Sequence, residues 1–374
     1  MRIGLNATCF NDRPSGAKQR FVEMYGALIR RRTDLDFLVY EPEDCRMAGW
    51  FAGAPNVRFI ATPLNSNSRW QRSLRGLTYW RSRLRRDRLD VFEMFHLPLV
   101  AAPDCPTLLT IHDARPALAG QSWLRRQVGR AVLSTALRRA TQTITVSDTM
   151  KAELQAIVPA APIVTITNGI DPAHFGGQGS DRVAATLALL SLPPRFLLAV
   201  GHLEPRKNYA TLIDAFAALG PDHAALNLVI VGNDSGLKDA LKAQGERHGL
   251  GDRLRFLHDV GDRDLAALYA TCAMLVFVSR YEGFGIPLLE AMAAGRPFLL
   301  SDTPVFRELT QGRAVYCDAS SSMAIAAAIA MLMADEQRQQ ALIDYGRHRI
   351  ADFGFDALSR QVETVYERLL GQEK

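Results

Sequence analysis

The chain has 374 residues, 48% of them hydrophobic and 22% charged, with a formal net charge of +5. That length suits two domains of about 150 residues better than one, and the balance is that of a globular chain, not a disordered or fibrous one. No run approaches the ~20 apolar residues that a membrane-crossing helix needs, and five scattered cysteines without a Cys-x-x-Cys pair argue against a disulfide framework or a structural zinc site.

The first ten residues, MRIGLNATCF, are too short and too mixed for a leader and read as a strand. A helical stretch is expected near 17–32. DFLVYE, VRFIAT, VFEMF, TLLTIH, QTITV and IVTITN then read as strands, with a helix over 121–140. Free thiols buried among such elements fit a reducing cytoplasm. FGGQGSDR at 175–182 is glycine-rich and polar, and reads as the joint between two halves.

The second half alternates more clearly. RFLLAV at 195–200 is a strand. NYATLIDAFAAL follows, with Leu212, Ile213, Phe216 and Leu219 on one helical face. NLVIVG, GLKDALKAQGERHG, LRFLH, DRDLAALYA, MLVFVS and PFLLS continue the pattern. Continuous apolar strands alternating with helices predict parallel sheets covered on both faces. The expected architecture is α/β, with two doubly wound domains. The expected boundaries are 1–180, 181–350, and a C-terminal helix at 351–374 packing back toward the first domain. Ligands of such sheets bind beyond the carboxyl ends of the strands, here in a cleft between the halves.

The most informative stretch is RYEGFGIPLLEAMAAGRP at 280–297. Pro287 suits the first turn of a helix, and Gly295 its end. The Gly283–Ile286 segment presents backbone N–H groups at a positive helix terminus, a ready anion site. Glu290, one turn in, can accept two hydrogen bonds from a vicinal diol such as a ribose. Glu282 stands before the turn, free to meet another hydroxylated group. GHLEPRKN at 201–208 brings Arg206 and Lys207 as adjacent cations that suit a diphosphate, though a solvated basic loop explains them equally well. PSGAKQRF at 14–21 can lay Gly16 and a helix start beside a ligand. His112 ends a strand, where a side chain reaches the same edge; a lone histidine is more often structural. TVSD and TNGID read as architecture, with Ser147 as a helix cap. DRD at 262–264 resembles a metal-holding Asp-x-Asp, yet it opens a helical pattern and reads better as Asp262 capping with Asp264 in the first turn.

Taken together, the stretch EGFGIPLLE, with Glu282 and Glu290 eight positions apart, and the order of VGHLEPRKNYATLIDAF, LVIVG, LRFLHDVGDRDLAALYATC, TIHD, TVSD and TNGID resemble glycosyltransferase family 4 over nearly the whole chain. The resemblance implies the GT-B fold, two Rossmann-like domains facing across a cleft. It implies a retaining transfer of a hexose from a nucleotide-diphosphate sugar without a metal, and no cofactor. In that reading Glu290 binds the donor ribose, and Gly283, Phe284, Gly285 and Ile286 meet phosphate and sugar through backbone amides. Glu282 contacts the transferred sugar, Arg206 and Lys207 stabilise the departing diphosphate, His112 lies beside the reacting sugar, and Gly16 approaches the donor. Many relatives carry paired glycines near the first helix, where this chain has only SGAK. The set resembles mannosyl- and rhamnosyl-type transferases of surface polysaccharide and lipopolysaccharide synthesis. That favours a GDP-sugar donor and a glycan or lipid-linked acceptor.

Charge is uneven. Residues 1–180 carry 24 Lys+Arg against 15 Asp+Glu, and the remainder 20 against 24. Residues 69–88 hold eight arginines with Trp70, Tyr79 and Trp80, and 123–139 hold five more. Basic stretches with aromatics suit an anionic membrane surface or a lipid-diphosphate acceptor; a solvated helix face is the plainer reading. No nucleic-acid module is recognisable, so nucleic acid is not an expected partner. The expected location is cytoplasmic, peripheral on the inner face of the membrane if those stretches bind it. Three rivals remain: another GT-B sugar-nucleotide enzyme of epimerase or phosphorylase type, a non-catalytic nucleotide-sugar binder, and, more weakly, a dinucleotide dehydrogenase. The last lacks a Gly-x-Gly-x-x-Gly after either half's first strand.

Overall fold

A computed structural model describes residues 1–12, 15–51, 53–97, 103–114 and 123–371. Pro14 and residues 121–122 of the expected helix lie outside these. The chain divides into two compact units, one made of Met1–Gly169 with Phe355–Lys374, the other of Ile170–Gly354.

In the first unit the described strands are β1 (Arg2–Asn6), β2 (Asp36–Glu41), β3 (Val57–Ala61), β4 (Val91–Met94), β5 (Thr107–Ile111), β6 (Gln142–Thr145) and β7 (Ile163–Thr165). They form one parallel sheet in the order β3-β2-β1-β4-β5-β6-β7. Helix α1 (Gly16–Arg31) joins β1 to β2, α2 (Arg69–Asp87) joins β3 to β4, and α3 (Trp123–Arg139) lies between β5 and β6. Ser147, as expected, caps the next helix, α4 (Asp148–Gln155), by accepting from the Met150 N–H at 3.1 Å.

The second unit repeats the plan with β8 (Phe196–Val200), β9 (Asn227–Val231), β10 (Leu254–Leu257), β11 (Met274–Phe277), β12 (Phe298–Ser301) and β13 (Val315–Cys317). Their order is β10-β9-β8-β11-β12-β13, again parallel. Both units are therefore Rossmann-like, as the alternation predicts. In each, the strand order reverses once: between β1 and β4, and between β8 and β11. At such a point the loops leaving the carboxyl ends of two neighbouring strands diverge and leave a crevice.

The glycine-rich 175–182 stretch is not the joint. It lies inside the second unit, where Phe175 meets the Tyr269 ring edge-on at 5.7 Å. Helix α5 (Ser180–Leu189) packs there too: Arg182 pairs with Asp264 at 2.9 Å and the Thr186 hydroxyl donates to the same carboxylate at 3.1 Å. Its polar residues are spent on the first turn of α6 (Asp262–Thr271), whose N-cap is Gly261; Asp262 and Asp264 both sit in that turn. The DRD sequence is thus helix-start chemistry. The observed crossings are at 169/170 and 354/355. On the first unit's side, a Cβ on Gly169 would meet Phe355 Cδ1 at 2.6 Å. On the second's, the Ile170 N–H donates to Phe353 O at 2.9 Å.

The last helix, α7 (Phe355–Gly371), belongs to the first unit and lies against α1. Leu358, Val362, Val365, Tyr366 and Leu369 enter the same core as Ile3, Leu5, Phe21 and Leu28. Glu363 pairs with Arg31 at 2.7 Å and Arg32 at 3.0 Å. The fully buried Glu93 on β4 ties this together. Its carboxylate accepts from the hydroxyls of Tyr25 on α1, Tyr366 on α7 and Thr110 on β5.

Candidate active site

The second unit's crevice is bounded by the loops after β8 and β11, and the expected donor residues stand on those loops. After β8 the chain turns at Gly201, whose φ of 143° suits only glycine. A Cβ there would sit 2.6 Å from Lys207 Cε, so the lysine stem lies along the bare backbone. A 3-10 turn, Pro205–Lys207, follows. Asn208 then adopts φ 63°, ψ 29°. It is the N-cap of the next helix, yet its side chain makes no capping bond there. Its amide instead donates to Val278 O at 3.2 Å and Ala319 O at 2.7 Å. The Arg280 N–H donates to Arg206 O at 2.8 Å. Those bonds strap the two loops together.

On this frame Glu282 bridges both cations. Its Oε1 is 2.8 Å from Lys207 Nζ, and its Oε2 is 2.6 Å from Arg206 Nη1. Arg206 Nε also holds Glu204 at 2.7 Å. Lys207 is 7% exposed, and its ammonium lies 4.9 Å from the centre of the Phe277 ring. Burial pulls the ammonium below the ordinary lysine range, with Glu282 opposing. For Glu282 burial acts upward, and Lys207 and Arg206 outweigh it, so the carboxyl stays below the usual range. Lys207 and Glu282 each supply the other's counter-ion, in a place where water scarcely reaches the lysine.

Past Glu282 the chain turns through Gly285, with φ 146° and a Cβ position 3.0 Å from Phe306 Cε1. Gly285 is the N-cap of α8 (Ile286–Ala293), with Pro287 in the first turn. Gly295 follows the helix at φ 63°. In the first turn of α8 Pro287 carries no N–H and the Leu288 N–H donates to Gly285 O at 3.0 Å, which leaves the Ile286 amide to face outward beside the cation pair. Glu290 lies one turn along and is buried, with no hydrogen-bond partner for its Oε2 among the described residues. Burial pushes its carboxyl up to about 7, against the pull of the nearby Tyr269 hydroxyl. A carboxylate waiting for two hydroxyl donors has this signature.

A raised carboxyl pKa penalises the folded state once the group must ionise. The penalty begins above the ordinary value of 4.5 and levels off beyond about 7. Glu290→Gln removes it, so the ligand-free variant should melt higher than wild type at pH 8, by up to about 3 kcal/mol, and equally at pH 4. Thermal melts at the two pH values check this; equal melting at pH 8 would show that the carboxyl is not strained by burial.

The remaining expected residues belong to the first unit. Gly16 is the first residue of α1, after Ser15, whose hydroxyl accepts from the Lys18 N–H at 3.2 Å. His112 immediately follows β5, one strand beyond that sheet's reversal. Burial and then the charge of Arg20 bring its pKa down to about 3, so it is a neutral imidazole at physiological pH.

Sequence reasoning missed Arg20 and Glu93. Arg20 is 2% exposed on α1 and donates through Nη1 to the carbonyls of Ile166 and Thr167, while Nε and Nη2 have no partner among the described residues. Glu93 left one signal: a single carboxylate within an otherwise apolar strand, VFEMF. Arg20 left none, since an arginine on an amphipathic helix reads as solvated. Among the described residues no three His, Cys, Asp or Glu cluster as metal ligands would, and no helix is long and apolar enough to cross a membrane.

Comparison with known proteins decides the family. Residues 14–174 match the family model described as "Glycosyltransferase Family 4", and 189–349 the one described as "Glycosyl transferases group 1". The chain belongs to the family 4 glycosyltransferases. It is 36% identical over 184 residues to the serotype-specific mannosyltransferase WbdA of Escherichia coli, which covers 48% of this chain and 22% of that protein. It is 32% identical over 178 residues to the GDP-mannose:cellobiosyl-diphosphopolyprenol alpha-mannosyltransferase of Komagataeibacter xylinus, covering 47% and 43%. The matches thus span less than half the length of these relatives. Among solved structures, Anabaena HepE in complex with UDP-glucose aligns over 98% of this chain and all of its own, with a TM-score of 0.76 and 20% identity. That likeness shows the shared GT-B fold.

Proposed function

We propose that this glycosyltransferase is a retaining hexosyltransferase that acts without a metal. It moves a sugar from a GDP-mannose or GDP-rhamnose type donor to a hydroxyl of a glycan or lipid-linked saccharide in surface-polysaccharide synthesis. The observation that carries this reading is the Lys207–Glu282–Arg206 knot, with its lysine buried, at the strand-order reversal, next to the α8 terminus and Glu290. In transfer, the bond between the sugar's anomeric carbon and the β-phosphate oxygen breaks, and a bond to the acceptor oxygen forms. The acceptor's proton leaves with the nucleotide diphosphate. Negative charge then grows on the leaving oxygen. Arg206, Lys207 and the Ile286 amide at the start of α8 are fixed in place before that charge appears, and so stabilise it without reorganising. Those cations take the part that a divalent ion plays in other transferases.

Glu290 receives the ribose hydroxyls, and Gly283–Ile286 the phosphates and sugar. Glu282 both holds the cations and faces the transferred hexose. Gly16 lets the backbone approach the donor. His112, neutral, offers a sugar hydroxyl a hydrogen bond without adding charge. The GDP-mannose preference is supported by the names of the relatives, and retention by the alpha product that one of those names records.

A thermal-shift panel of GDP-, UDP-, ADP- and dTDP-sugars, run with and without EDTA, tests the donor. GDP-mannose should raise the melting temperature equally in both, and Glu290→Gln should abolish the rise. A rise with UDP-sugars alone would replace the donor base. A rise that EDTA removes would overturn metal-free binding, and no rise with any sugar nucleotide would overturn the donor site itself.

A further inference from the structure

We infer that Tyr269 is a positioning residue for the donor: its hydroxyl donates to the shielded oxygen of Glu290 and so fixes the carboxylate that receives the ribose. The inference rests on the ribose role proposed for Glu290. Tyr269 closes the buried run 266–269 of α6. In sequence it is one more core residue. A hydroxyl sits in a core at a cost unless something there accepts it.

The Tyr269 hydroxyl neighbours the Glu290 carboxyl where α6 meets α8. Tyr269 is 0% exposed, and its hydroxyl has no hydrogen-bond partner among the described residues. Glu290 is 8% exposed, yet its Oε2 is shielded from water and equally without a partner. An unpartnered buried donor beside an unpartnered buried acceptor is a bond that ionisation closes. The charged oxygen draws the hydroxyl, and the bond in turn favours the charged form. Burial and then the carboxylate push the tyrosine well above its ordinary value, so it serves as a donor and not as a second base. On Glu290 burial pushes hardest. The Tyr269 hydroxyl gives the largest pull downward, ahead of Lys207, while Asp262 adds to the push.

The ring is not free to turn away. Phe175, buried, meets it edge-on at 5.7 Å. Phe175 ends a single helical turn, Pro172–Phe175, just past the crossing into the second unit. Asp171 caps that turn by accepting from the Ala173 N–H at 3.0 Å, and His174 Nε2 donates to Asp262 O at 3.2 Å. A Cβ on Gly176 would stand 3.8 Å from Ala293 O on α8. The turn thus rests on both α6 and α8 and keeps the ring in place. With Oε2 engaged, the carboxylate holds its charge and orientation, and its remaining lone pairs stay open to a vicinal diol. Without the phenol, a carboxyl so buried favours its neutral form, a poorer acceptor for two hydroxyls.

The test is calorimetric titration of the full chain with GDP and UDP, which carry the same ribose, and with their 2′,3′-dideoxy forms, which lack its hydroxyls. Wild type should prefer the ribose form of the nucleotide it binds. Tyr269→Phe should cut that preference by about tenfold or more, the scale of one hydrogen bond to a charged group, and leave the affinity for the dideoxy form unchanged. A variant that weakens both forms alike would show that the ring only packs, and would overturn the inference. Glu290→Gln separates this from the reading beneath it. If Glu290→Gln loses the preference and Tyr269→Phe keeps it, the inference falls and the donor reading stands. If Glu290→Gln keeps the preference, or wild type binds neither nucleotide, the ribose role falls and the inference with it.

Discussion

Replacing Lys207 by alanine is expected to lower the transfer rate at saturating donor by about 10²–10³-fold, the scale reported for removing one fixed donor from a transition-state charge site. The reason lies in how tightly the ammonium is held. Its stem lies on Gly201, its charge sits near the Phe277 ring, and Glu282 anchors it at 2.8 Å. No neighbouring cation can move into its place, because Arg206 is already shared between Glu204 and Glu282. The same change leaves Glu282 buried with one counter-ion instead of two. Breaking a buried pair from one side costs about 3–5 kcal/mol. Two measurements separate these effects. Single-turnover rates read the chemistry, and urea melts read the fold. A normal rate in Lys207→Ala would sink the leaving-group role. A normal melt would show that Glu282 does not depend on the pair. Lys207→Arg should restore most of the stability and little of the rate, since a planar guanidinium cannot occupy the narrow channel over Gly201.

Deleting residues 355–374 should have the largest effect on stability. It strips Leu358, Val362, Val365, Tyr366 and Leu369 from the first unit's core. At about 1.5–3 kcal/mol for each fully buried side chain, the loss is on the order of 10 kcal/mol, comparable with the whole stability of a domain. It also removes the Tyr366 hydroxyl from Glu93, a carboxylate that burial already pushes above its ordinary value. The truncated chain should lose one cooperative transition in calorimetry and keep another, because the second unit gives up none of its own residues. Tyr366→Phe alone should cost about 1–3 kcal/mol, the price of one unsatisfied buried acceptor. A truncated chain that melts like the full one would refute the assignment of α7 to that core.

The two changes mark the limits of what could be read from residues alone. The strand-helix alternation was legible throughout, since apolar runs such as DFLVYE and NLVIVG can only be strands buried on both faces. The donor loop was legible too. Its parts, Glu282, Gly283–Ile286, Pro287 and Glu290, lie within ten residues of one another, and helix-start chemistry is local. The same holds for Ser147 as a cap. The division of the chain was not legible in this way. Glycine and polar residues at 175–182 read as a linker, yet Arg182 pairs with Asp264 in the first turn of α6, a partner more than eighty residues away.

What the amino-acid order by itself determined is therefore whatever depends on neighbours in the chain: element type, turn glycines, the helix terminus and its two glutamates. What only the tertiary structure decided is which distant groups meet. Arg206 and Lys207 could have been a solvated loop; parallel pairing of β8 with β11 brings them onto Glu282. Glu93 could have been a misplaced charge; it is held by hydroxyls from α1, β5 and α7. Arg20 could have faced water; it is buried against the carbonyls that end the first unit's sheet. A buried charge is stable only where its counter-groups have been brought, and contacts between residues distant in the chain are set by how sheets and helices pack, which no short window of sequence contains.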